Sequence, residues 1–338
     1  MSARILAGGE GVSAALHILR GGGVVGVPTE TVYGLGADAF QPMAVARVFE
    51  AKGRPLIDPL IVHLPEEGWV DRVVSYSSHG QKELANRLAR AFWPGPLTLL
   101  LPRRKALPEL VTAGSNQVAV RVTSHPLFQE LLLRLGSPMA APSANRFGSI
   151  SPTSAQDVQI ELGNKISLVL DGGPCRHGLE STIVAVEEDH LAILRPGPIT
   201  EDQLIEIGHV LAQRPGVHNP GNRPGHYAPK KELQIIKTDI KSVLSGSKKQ
   251  GLLAFTPPSA EVADCYAKVE ILSRDGSLRE AAANFYGALR RLDLSDVDII
   301  VAQSLPCEGI GTAIMDRLRR AEHGSKHGTG GGPATSRE

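Results

Sequence analysis

A stretch rich in proline and glycine constrains the fold of this chain more than any other feature. It covers residues 214–230, reads RPGVHNPGNRPGHYAPK and contains no acidic residue. Proline lacks a backbone N–H and fixes φ, so such a segment forms neither a helix nor a central strand. We therefore predict an extended linker between two domains, which a length of 338 residues also favours. Its side chains could reach a neighbouring cleft through the donors His218, Arg223, His226, Tyr227 and Lys230.

The predicted domain boundaries follow from this linker. Residues 1–213 would form the first domain, 214–230 the linker and 231–322 a smaller α/β domain. Residues 323–338 are Gly-rich, polar and without periodicity, which predicts a disordered tail. The second domain shows no hydroxyl-rich or cation-rich loop like those of the first, so we expect it to serve regulation or coupling. We also expect the linker to close over a pocket of the first domain.

Hydrophobic periodicity predicts α/β structure in both domains. Predicted helices cover 12–20, 42–51, 81–92, 126–135, 153–162, 278–292 and 311–321. Predicted strands cover 24–27, 97–101, 118–122, 166–170, 181–187, 191–195, 233–236, 251–255 and 297–302. Thr153 with Gln156 predicts a capping box at the start of the 153–162 helix. Because helices separate some strands and short turns separate others, we predict a mixed, twisted sheet with helices packed on it.

Composition excludes several classes of protein. The 36 basic and 35 acidic residues give a net charge of +1, so the chain as a whole does not attract nucleic acid. Cys175, Cys265 and Cys307 are far apart, which argues against disulfides and zinc and for a reducing compartment. With no apolar run of about 18 residues, we expect a cytoplasmic protein without a membrane segment.

The segment from Gly22 to Pro59 has the composition of an anion site. An apolar run ends at Pro28, after which residues 29–33 supply hydroxyl and carboxyl groups, and Lys52 and Arg54 bring positive charge. A bland alternative, in which these are turn residues and a solvated loop, stays open from this segment alone. The glycines of GLGAD also fit a dinucleotide-binding spacing, but Pro28 and the residues after it separate them from the preceding strand.

Further segments of the first domain share this character. His63 ends an apolar strand, and Arg121 lies inside one, where a guanidinium is costly unless an anion or carboxylate meets it. Arg121 could instead pair with a buried acid such as Asp171. Donor-rich loops follow at 141–151 and 180–182. Each segment alone has a structural explanation, but together they favour one binding pocket.

Seven motifs in order give a resemblance to a known family. The motifs are PTETVYGLGADAF, KGRP with PLIVH, WPGPLTLLL, VAVRV, APSAN with SPTSA, GLESTIV and LRPGPIT. They closely resemble the threonylcarbamoyl-AMP synthase family, the YrdC-like proteins, and HYAPK with the α/β unit after it resembles the longer members. The resemblance implies a twisted α/β sheet with a large concave cleft, joined to a Rossmann-like C-terminal domain.

The same resemblance implies a nucleotidyltransferase. It would condense L-threonine, bicarbonate or CO₂, and ATP to threonylcarbamoyl-adenylate and pyrophosphate, with Mg²⁺ accompanying ATP. The product would pass to the tRNA threonylcarbamoyl-transfer machinery for the adenosine beside the anticodon, with weak or indirect tRNA binding. Charge develops on the α-phosphorus and on pyrophosphate, so fixed cations and positioning would suffice without a covalent nucleophile.

Site residues carry over from the resemblance by position. Lys52 and Arg54 would be catalytic and stabilise the transition state. The implied ATP-binding residues are Arg54, Asp58, Gln117, Ser143, Ser151, Arg195 and Tyr227. The implied threonine-binding residues are Thr31, His63, Arg121, Ala141 and Ser181, with Arg121 as a bidentate partner of the carboxylate. No metal ligand from a protein side chain is implied.

Two residues depart from the family pattern. Asp58 stands where asparagine is usual, so an amide donor is replaced by a carboxylate that would repel phosphate unless Mg²⁺ or an arginine intervenes. Thr123 replaces a usual proline, and we expect it to alter only a turn. An alternative function is an RNA-binding module that uses the same basic concave surface. A carbamoyl-transfer maturation factor is a further alternative, but it would need zinc-finger cysteines that this chain lacks.

Overall fold

Two sheets organise the part of the chain that the structure describes. This computed structural model describes residues 2–211, 225–236 and 248–327. The predicted linker lies outside the described residues at 214–224, including His218 and Arg223, and the predicted tail does so at 328–338.

The first sheet and its helices occupy the residues up to Leu211. Its strands are β1 (Arg4–Ala7), β2 (Val25–Val27), β3 (Gly34–Asp38), β4 (Ile61–His63), β5 (Leu97–Pro102), β6 (Gln117–Arg121), β7 (Met139–Ala140), β8 (Leu168–Asp171), β9 (Thr182–Val186), β10 (His190–Arg195) and β11 (His209–Leu211). Its helices are α1 (Gly8–Arg20), α2 (Pro42–Lys52), α3 (Val70–Val73), α4 (His79–Phe92), α5 (Pro126–Leu135), α6 (Ala155–Leu162) and α7 (Glu201–Ile205), with 3-10 turns at Glu67–Trp69 and Glu109–Thr112.

The second sheet belongs to a smaller C-terminal unit. This unit consists of β12 (Glu232–Ile236), β13 (Gln250–Ala254), α8 (Ala260–Ala263), β14 (Lys268–Ile271), α9 (Leu278–Asp293), β15 (Ile299–Gln303) and α10 (Gly311–His327). Its strands pair in parallel in the order β12-β15-β13-β14. Parallel strands with helical crossovers are typical of a Rossmann-like unit.

The first sheet is mixed, as predicted. Within the described residues it has the order β1-β8-β2-β3-β7-β4-β6-β5-β9-β10-β11. It contains parallel pairs such as β4 with β6 and antiparallel pairs such as β5 with β6. A short turn joins the antiparallel strands β9 and β10, whereas α7 lies between the parallel strands β10 and β11. The α/β fold class is therefore confirmed.

GLGAD, for which no strand was predicted, is strand β3 and lies antiparallel to β2. Two local predictions are wrong. The capping box of α6 uses Ser154 and Asp157 rather than Thr153 and Gln156, because the chain enters the helix one residue later. Helix α10 continues to His327, so residues 323–327 are helical rather than part of a disordered tail.

The two sheets share a hydrophobic core. One apolar cluster joins Val32, Ile150 and Leu179 to Phe285 and Tyr286 of α9. At Gly178 the backbone has φ of +66°, and a Cβ there would lie 2.4 Å from the carbonyl oxygen of Ala282. Only glycine allows so close an approach. The loop before β9 therefore packs directly on the C-terminal unit.

Across the described ranges, none of the helices is both long enough and apolar enough to span a membrane.

Candidate active site

A cavity lies on one face of the short central strands of the first sheet. Ile61 and His63 both line it, and residues two apart in a strand point to the same face. Arg121 pairs with His63 in the parallel register of β4 and β6, so it reaches the same face.

Helix α2 ends in a way that delivers two cations to this cavity. Its C-cap, Gly53, has φ of 63°, a left-handed conformation that glycine adopts without steric cost. The chain reverses there, so Lys52 in the last helical turn and Arg54 just after it both line the cavity. The Lys-Gly-Arg segment is thus a helix end with both cations buried, and not a solvated loop.

Backbone carbonyls hold the ammonium group of Lys52. Its Nζ donates to the carbonyl oxygens of Ser143 at 2.6 Å and Asn145 at 2.5 Å. Burial, and next the nearby Arg54, lower the pKa of Lys52 well below 10.5. No carboxylate of the described residues lies within ion-pair distance of Lys52, so its charge is not neutralised by a direct partner.

Arg54 is anchored differently. It donates to the carbonyl oxygens of Asp58 and Pro59 and forms an ion pair of 3.0 Å with the Asp58 carboxylate. Oδ2 of Asp58 lies 3.9 Å from Nε2 of His226. Burial, followed by Arg54 and Lys52, lowers the pKa of His226 to about 3, so this imidazole is neutral at pH 7.

Arg121 is paired with a buried acid, but the acid is Glu30 and not Asp171. Its Nη2 lies 2.5 Å from Oε1 of Glu30, and its Nη1 donates to the hydroxyl of Thr31 at 3.1 Å. Thr123 donates to Oε2 of Glu30 at 2.6 Å, so this residue does more than alter a turn. Burial alone raises the pKa of Glu30, but Arg121 and then Thr123 outweigh it and the pKa is lowered. Nε of Arg121 has no hydrogen-bond partner among the described residues.

His63 is a neutral hydrogen-bonding group next to Arg121. Burial and then the Arg121 charge lower the pKa of His63 to about 3. Its ring packs against Phe128 with centroids 5.1 Å apart, and its Nδ1 is buried without a hydrogen-bond partner in the described part of the chain. His63 and Arg121 thus present nitrogen atoms side by side that a bound ligand could use.

The loop before β9 completes one wall of the cavity. Nε and Nη2 of Arg195 donate to the Ser181 carbonyl at 3.1 and 2.9 Å, and Nη2 also donates to the Ser181 hydroxyl at 3.1 Å. The hydroxyls of Ser181 and Thr98 are 2.7 Å apart. These bonds position Arg195 and Ser181 relative to each other before any ligand arrives.

The end of the predicted linker reaches the cavity. His226 and Tyr227 both line it, and Ala228 donates its N–H to the carbonyl of Gly148 at 2.9 Å. Tyr227 has φ of 68°, a left-handed conformation that is unfavourable for a residue with a Cβ. Its ring is held by contacts at 5.7 Å to the ring of His226 and 5.8 Å to that of Tyr286.

The structure brings most of the predicted site residues together. The predicted residues that line the cavity are Thr31, Lys52, Arg54, His63, Arg121, Ala141, Ser143, Ser181, Arg195 and Tyr227.

Three predicted ATP residues do not line this cavity. Gln117 begins β6 at the end opposite to Arg121, roughly 13 Å away at the usual strand rise. Ser151 has no exposed surface and donates its hydroxyl to Glu180 at 2.6 Å. Asp58 lies behind Arg54, which it pairs with.

Sequence reasoning gave no site role to three residues that the fold places here. Glu30 neutralises Arg121, and Glu180 and Asn145 line the cavity. Nδ2 of Asn145 donates to the carbonyls of Arg146 and Ser149, whereas its Oδ1 is buried without a partner among the described residues. The APSAN motif contained this asparagine, but the motif alone does not reveal that the amide is buried with an unpartnered acceptor.

Comparison with known proteins decides the family. A family model of the Sua5, YciO and YrdC group, described as "Telomere recombination", matches residues 17–197. A second model, described as "Threonylcarbamoyl-AMP synthase, C-terminal domain", matches residues 199–322. Threonylcarbamoyl-AMP synthase of Bacillus subtilis is 39% identical over 330 residues, which are 93% of this chain and 93% of that protein. The chain belongs to the threonylcarbamoyl-AMP synthase family. It is of the long, two-domain form, as the sequence motifs predicted.

Members of the family from distant organisms share the whole chain. Threonylcarbamoyl-AMP synthase of Pyrococcus abyssi is 35% identical over 325 residues, or 92% of this chain and 93% of that protein. A crystal structure of P. abyssi Sua5 complexed with L-threonine has a TM-score of 0.85 to this chain and 33% sequence identity. It covers 96% of this chain and 98% of its own. The two-sheet architecture of this chain is thus also present in the solved structure of P. abyssi Sua5.

Proposed function

We propose that this chain is a threonylcarbamoyl-AMP synthase, which joins L-threonine, bicarbonate or CO₂, and ATP into threonylcarbamoyl-adenylate and pyrophosphate. One observation carries the proposal. A single cavity is lined by the buried cations Lys52 and Arg54, called here the Lys52 end, and by the neutral His63 beside the carboxylate-paired Arg121, called here the Arg121 end. A nucleotide and an amino acid need these two kinds of contact in one place.

The Arg121 end suits threonine. Arg121 and His63 can hydrogen-bond the carboxylate, and Thr31 and Ser181 supply hydroxyls for the polar groups of the amino acid. Because Glu30 already takes one Nη2 hydrogen of Arg121, we assign the carboxylate to the remaining donors, of which Nε has no partner in the described residues. Ala141 leaves room for the substrate, since its side chain is a single methyl group.

The Lys52 end suits the phosphates. A carbamate forms from the threonine amine and bicarbonate with loss of water, and one of its oxygens then attacks the α-phosphorus of ATP as pyrophosphate leaves. Negative charge therefore grows on phosphate oxygens, where Lys52, Arg54 and Arg195 can stabilise it. Ser143 and Tyr227 would complete the nucleotide contacts. The other three residues implied for ATP do not line the cavity, so they would act on ATP only through their neighbours: Asp58, Gln117 and Ser151.

Metal binding by the protein itself does not fit the residues present. The described residues contain no group of three or more His, Cys, Asp or Glu side chains that could hold a metal ion. Asp58, a buried carboxylate beside these cations, pairs with Arg54. Any Mg²⁺ would thus arrive on the phosphates of ATP, and the steps assigned to Lys52, Arg54 and Arg195 do not depend on it.

We further propose that the product passes to an enzyme that transfers the threonylcarbamoyl group to the adenosine beside the tRNA anticodon. An RNA-binding module is not favoured, because a phosphate-binding surface has no use for the buried set of Thr31, His63 and Arg121. The cations of the cavity are themselves buried, whereas duplex RNA would need them on an open surface.

Pyrophosphate release tests the proposal. We expect release from ATP only when threonine and bicarbonate are both present, and a much slower reaction when serine replaces threonine. Mass spectrometry should detect threonylcarbamoyl-adenylate as the second product. Pyrophosphate release that does not depend on threonine, or a product without the threonyl group, would refute the proposed activity.

A further inference from the structure

Glu180 is a carboxylate of the cavity wall that the reaction, as proposed above, does not use. It is buried and precedes Ser181 directly. Its oxygens accept hydrogen bonds from Ser151 at 2.6 Å, from the hydroxyl of Tyr286 at 3.0 Å and from Nε of Arg317 at 3.0 Å. Two of these donors belong to the C-terminal unit, one on α9 and one on α10.

Glu180 and Arg317 are both buried, so each charge has to be neutralised by a charge of the opposite sign. The side chain of Arg317 has no exposed surface, and an enclosed guanidinium is costly unless acids neutralise it. Glu180 and Asp316, the latter at 2.8 Å, provide that neutralisation. Burial by itself raises the pKa of Glu180, but Arg317 and then Arg195 outweigh it, so the group is ionised at pH 7. The ion pair crosses from one unit of the chain to the other.

The same two side chains also support Tyr227. The guanidinium carbon of Arg317 lies 5.5 Å from the centre of the Tyr227 ring, and the ring of Tyr286 lies 5.8 Å from it. A tyrosine in a left-handed conformation needs surrounding contacts to hold it there. Tyr286 and Arg317 supply contacts to both Glu180 and Tyr227, which are neighbours on the cavity wall.

We propose that Tyr286 and Arg317 are positioning residues of the active site, by which the C-terminal unit fixes Glu180, Arg195 and Tyr227 in the geometry that binds ATP. The inference rests on the proposed function for its substrate. Glu180 directly precedes Ser181, whose carbonyl and hydroxyl accept hydrogen bonds from Arg195, and Arg195 and Tyr227 both line the cavity where the nucleotide is assigned. The C-terminal unit therefore completes the site without touching the reacting atoms.

The test is a double-mutant cycle of Tyr286→Phe and Glu180→Gln. Tyr286→Phe removes the hydroxyl that bonds to Glu180 but keeps the ring that packs on Tyr227. We expect the KM for ATP to rise by about threefold to tenfold, the size of an ordinary net hydrogen-bond contribution, because Glu180 acts on ATP only through its neighbours, while the KM for threonine changes less than about twofold. In the Glu180→Gln background, Tyr286→Phe should have little further effect, because the partner is already altered.

Matched controls separate positioning from stability. Tyr266→Phe removes a hydroxyl from a different apolar cluster of the same unit, and it should leave both KM values unchanged. Arg317→Lys should raise the KM for ATP, whereas Arg291→Lys, at an exposed pair with Glu270, should not. Thermal unfolding of each variant shows whether it is folded.

The outcomes are distinct for the two proposals. An unchanged KM for ATP in Tyr286→Phe, or an equal effect of this change in both backgrounds of the cycle, would overturn the positioning role. A lower unfolding temperature with unchanged KM values would overturn it as well, since the contact would then be structural alone. If the unmodified protein releases no pyrophosphate with threonine, the proposed function fails. ATP affinity by calorimetry on the same variants then decides the positioning role by itself.

Discussion

The two ends of the cavity hold their cations in opposite ways. Lys52 is bound by two backbone carbonyls, and no carboxylate of the described residues neutralises it directly. Arg121 is bound by Glu30, which Thr123 also supports. Both cations are buried, so they differ in whether a carboxylate neutralises the charge and not in how exposed they are.

This difference indicates what each end can bind. A buried charge without a direct counter-ion strongly favours a multiply charged ligand such as a triphosphate, because Coulomb attraction is large where water is excluded. An ion pair is nearly neutral at a distance and offers directed hydrogen bonds instead. It suits a zwitterionic amino acid, whose own two charges nearly cancel. The cavity thus separates its substrates by net charge as well as by shape.

Replacing Lys52 with methionine should have the largest effect on activity, because it removes the buried cation that has no direct counter-ion among the described residues. The stem of the side chain keeps its packing while the charge is lost, so we expect kcat to fall by about 10²–10³, as for other charge-stabilising groups. Pyrophosphate release at saturating ATP measures it. The exposed Lys105→Met is the matched control and should behave like the unmodified protein. A fall of less than threefold would contradict a role in the transition state.

Arg121→Lys should affect the other substrate. Lysine keeps the charge but loses the planar set of donors, so we expect the KM for threonine to rise about 10- to 100-fold with the KM for ATP almost unchanged. Steady-state kinetics with each substrate varied in turn gives both values. Arg134→Lys, at an exposed pair with Glu130, is the control. Equal increases in both KM values would mean that the two ends are not independent.

The lowered pKa of Lys52 predicts a loss of ATP binding at alkaline pH. As the pH rises through this lowered pKa, the ammonium loses its proton and its attraction for phosphate. The kcat/KM for ATP should therefore fall by about tenfold over the first unit above that pKa, at a pH well below 10.5. In Lys52→Arg the charge persists, so the alkaline fall should move to higher pH. An identical profile in the variant would assign the fall to another group.

Acid pH should destabilise the fold through the two buried histidines, with a smaller effect. His63 and His226 each have a folded pKa of about 3, below the ordinary 6.5, so the unfolded state binds their protons first. Between pH 6.5 and 5.5 the free energy of unfolding should fall by about 1 kcal/mol per histidine. Urea unfolding at both pH values measures it. His63→Asn should flatten the slope, and an unchanged slope would show that His63 does not titrate as described.

The fold was predictable because its signals are local. The apolar stripe of α1, and the two apolar runs around a short polar turn that give the β9–β10 hairpin, depend on neighbours a few residues apart. The glycines of β3 misled the sequence reasoning, since glycine usually marks a turn. In the structure the Cβ of an alanine at Gly36 would lie 2.4 Å from the side chain of Met139. The glycine serves a tertiary contact that no local pattern displays.

The site was less predictable than the fold. Motif positions brought Lys52, His63 and Arg121 to the correct cavity, because strand and helix ends carry them there. The sequence did not show which acid pairs with which base. Glu30 is 91 residues from Arg121 in sequence, and Glu180 is 137 from Arg317, so only the folded chain shows which acid neutralises which base. The same holds for Ser151, whose hydroxyl is committed to Glu180.

Gly178 shows how little separates the two halves of the molecule. A single added methyl group would collide with the backbone of α9 at 2.4 Å and act as a wedge between them. Any chain in which this C-terminal unit packs in the same way needs glycine at this position. A chain without the unit could carry a larger residue there. The packing of the whole C-terminal unit against the first sheet and its loops thus depends on a position that carries a hydrogen atom instead of a side chain.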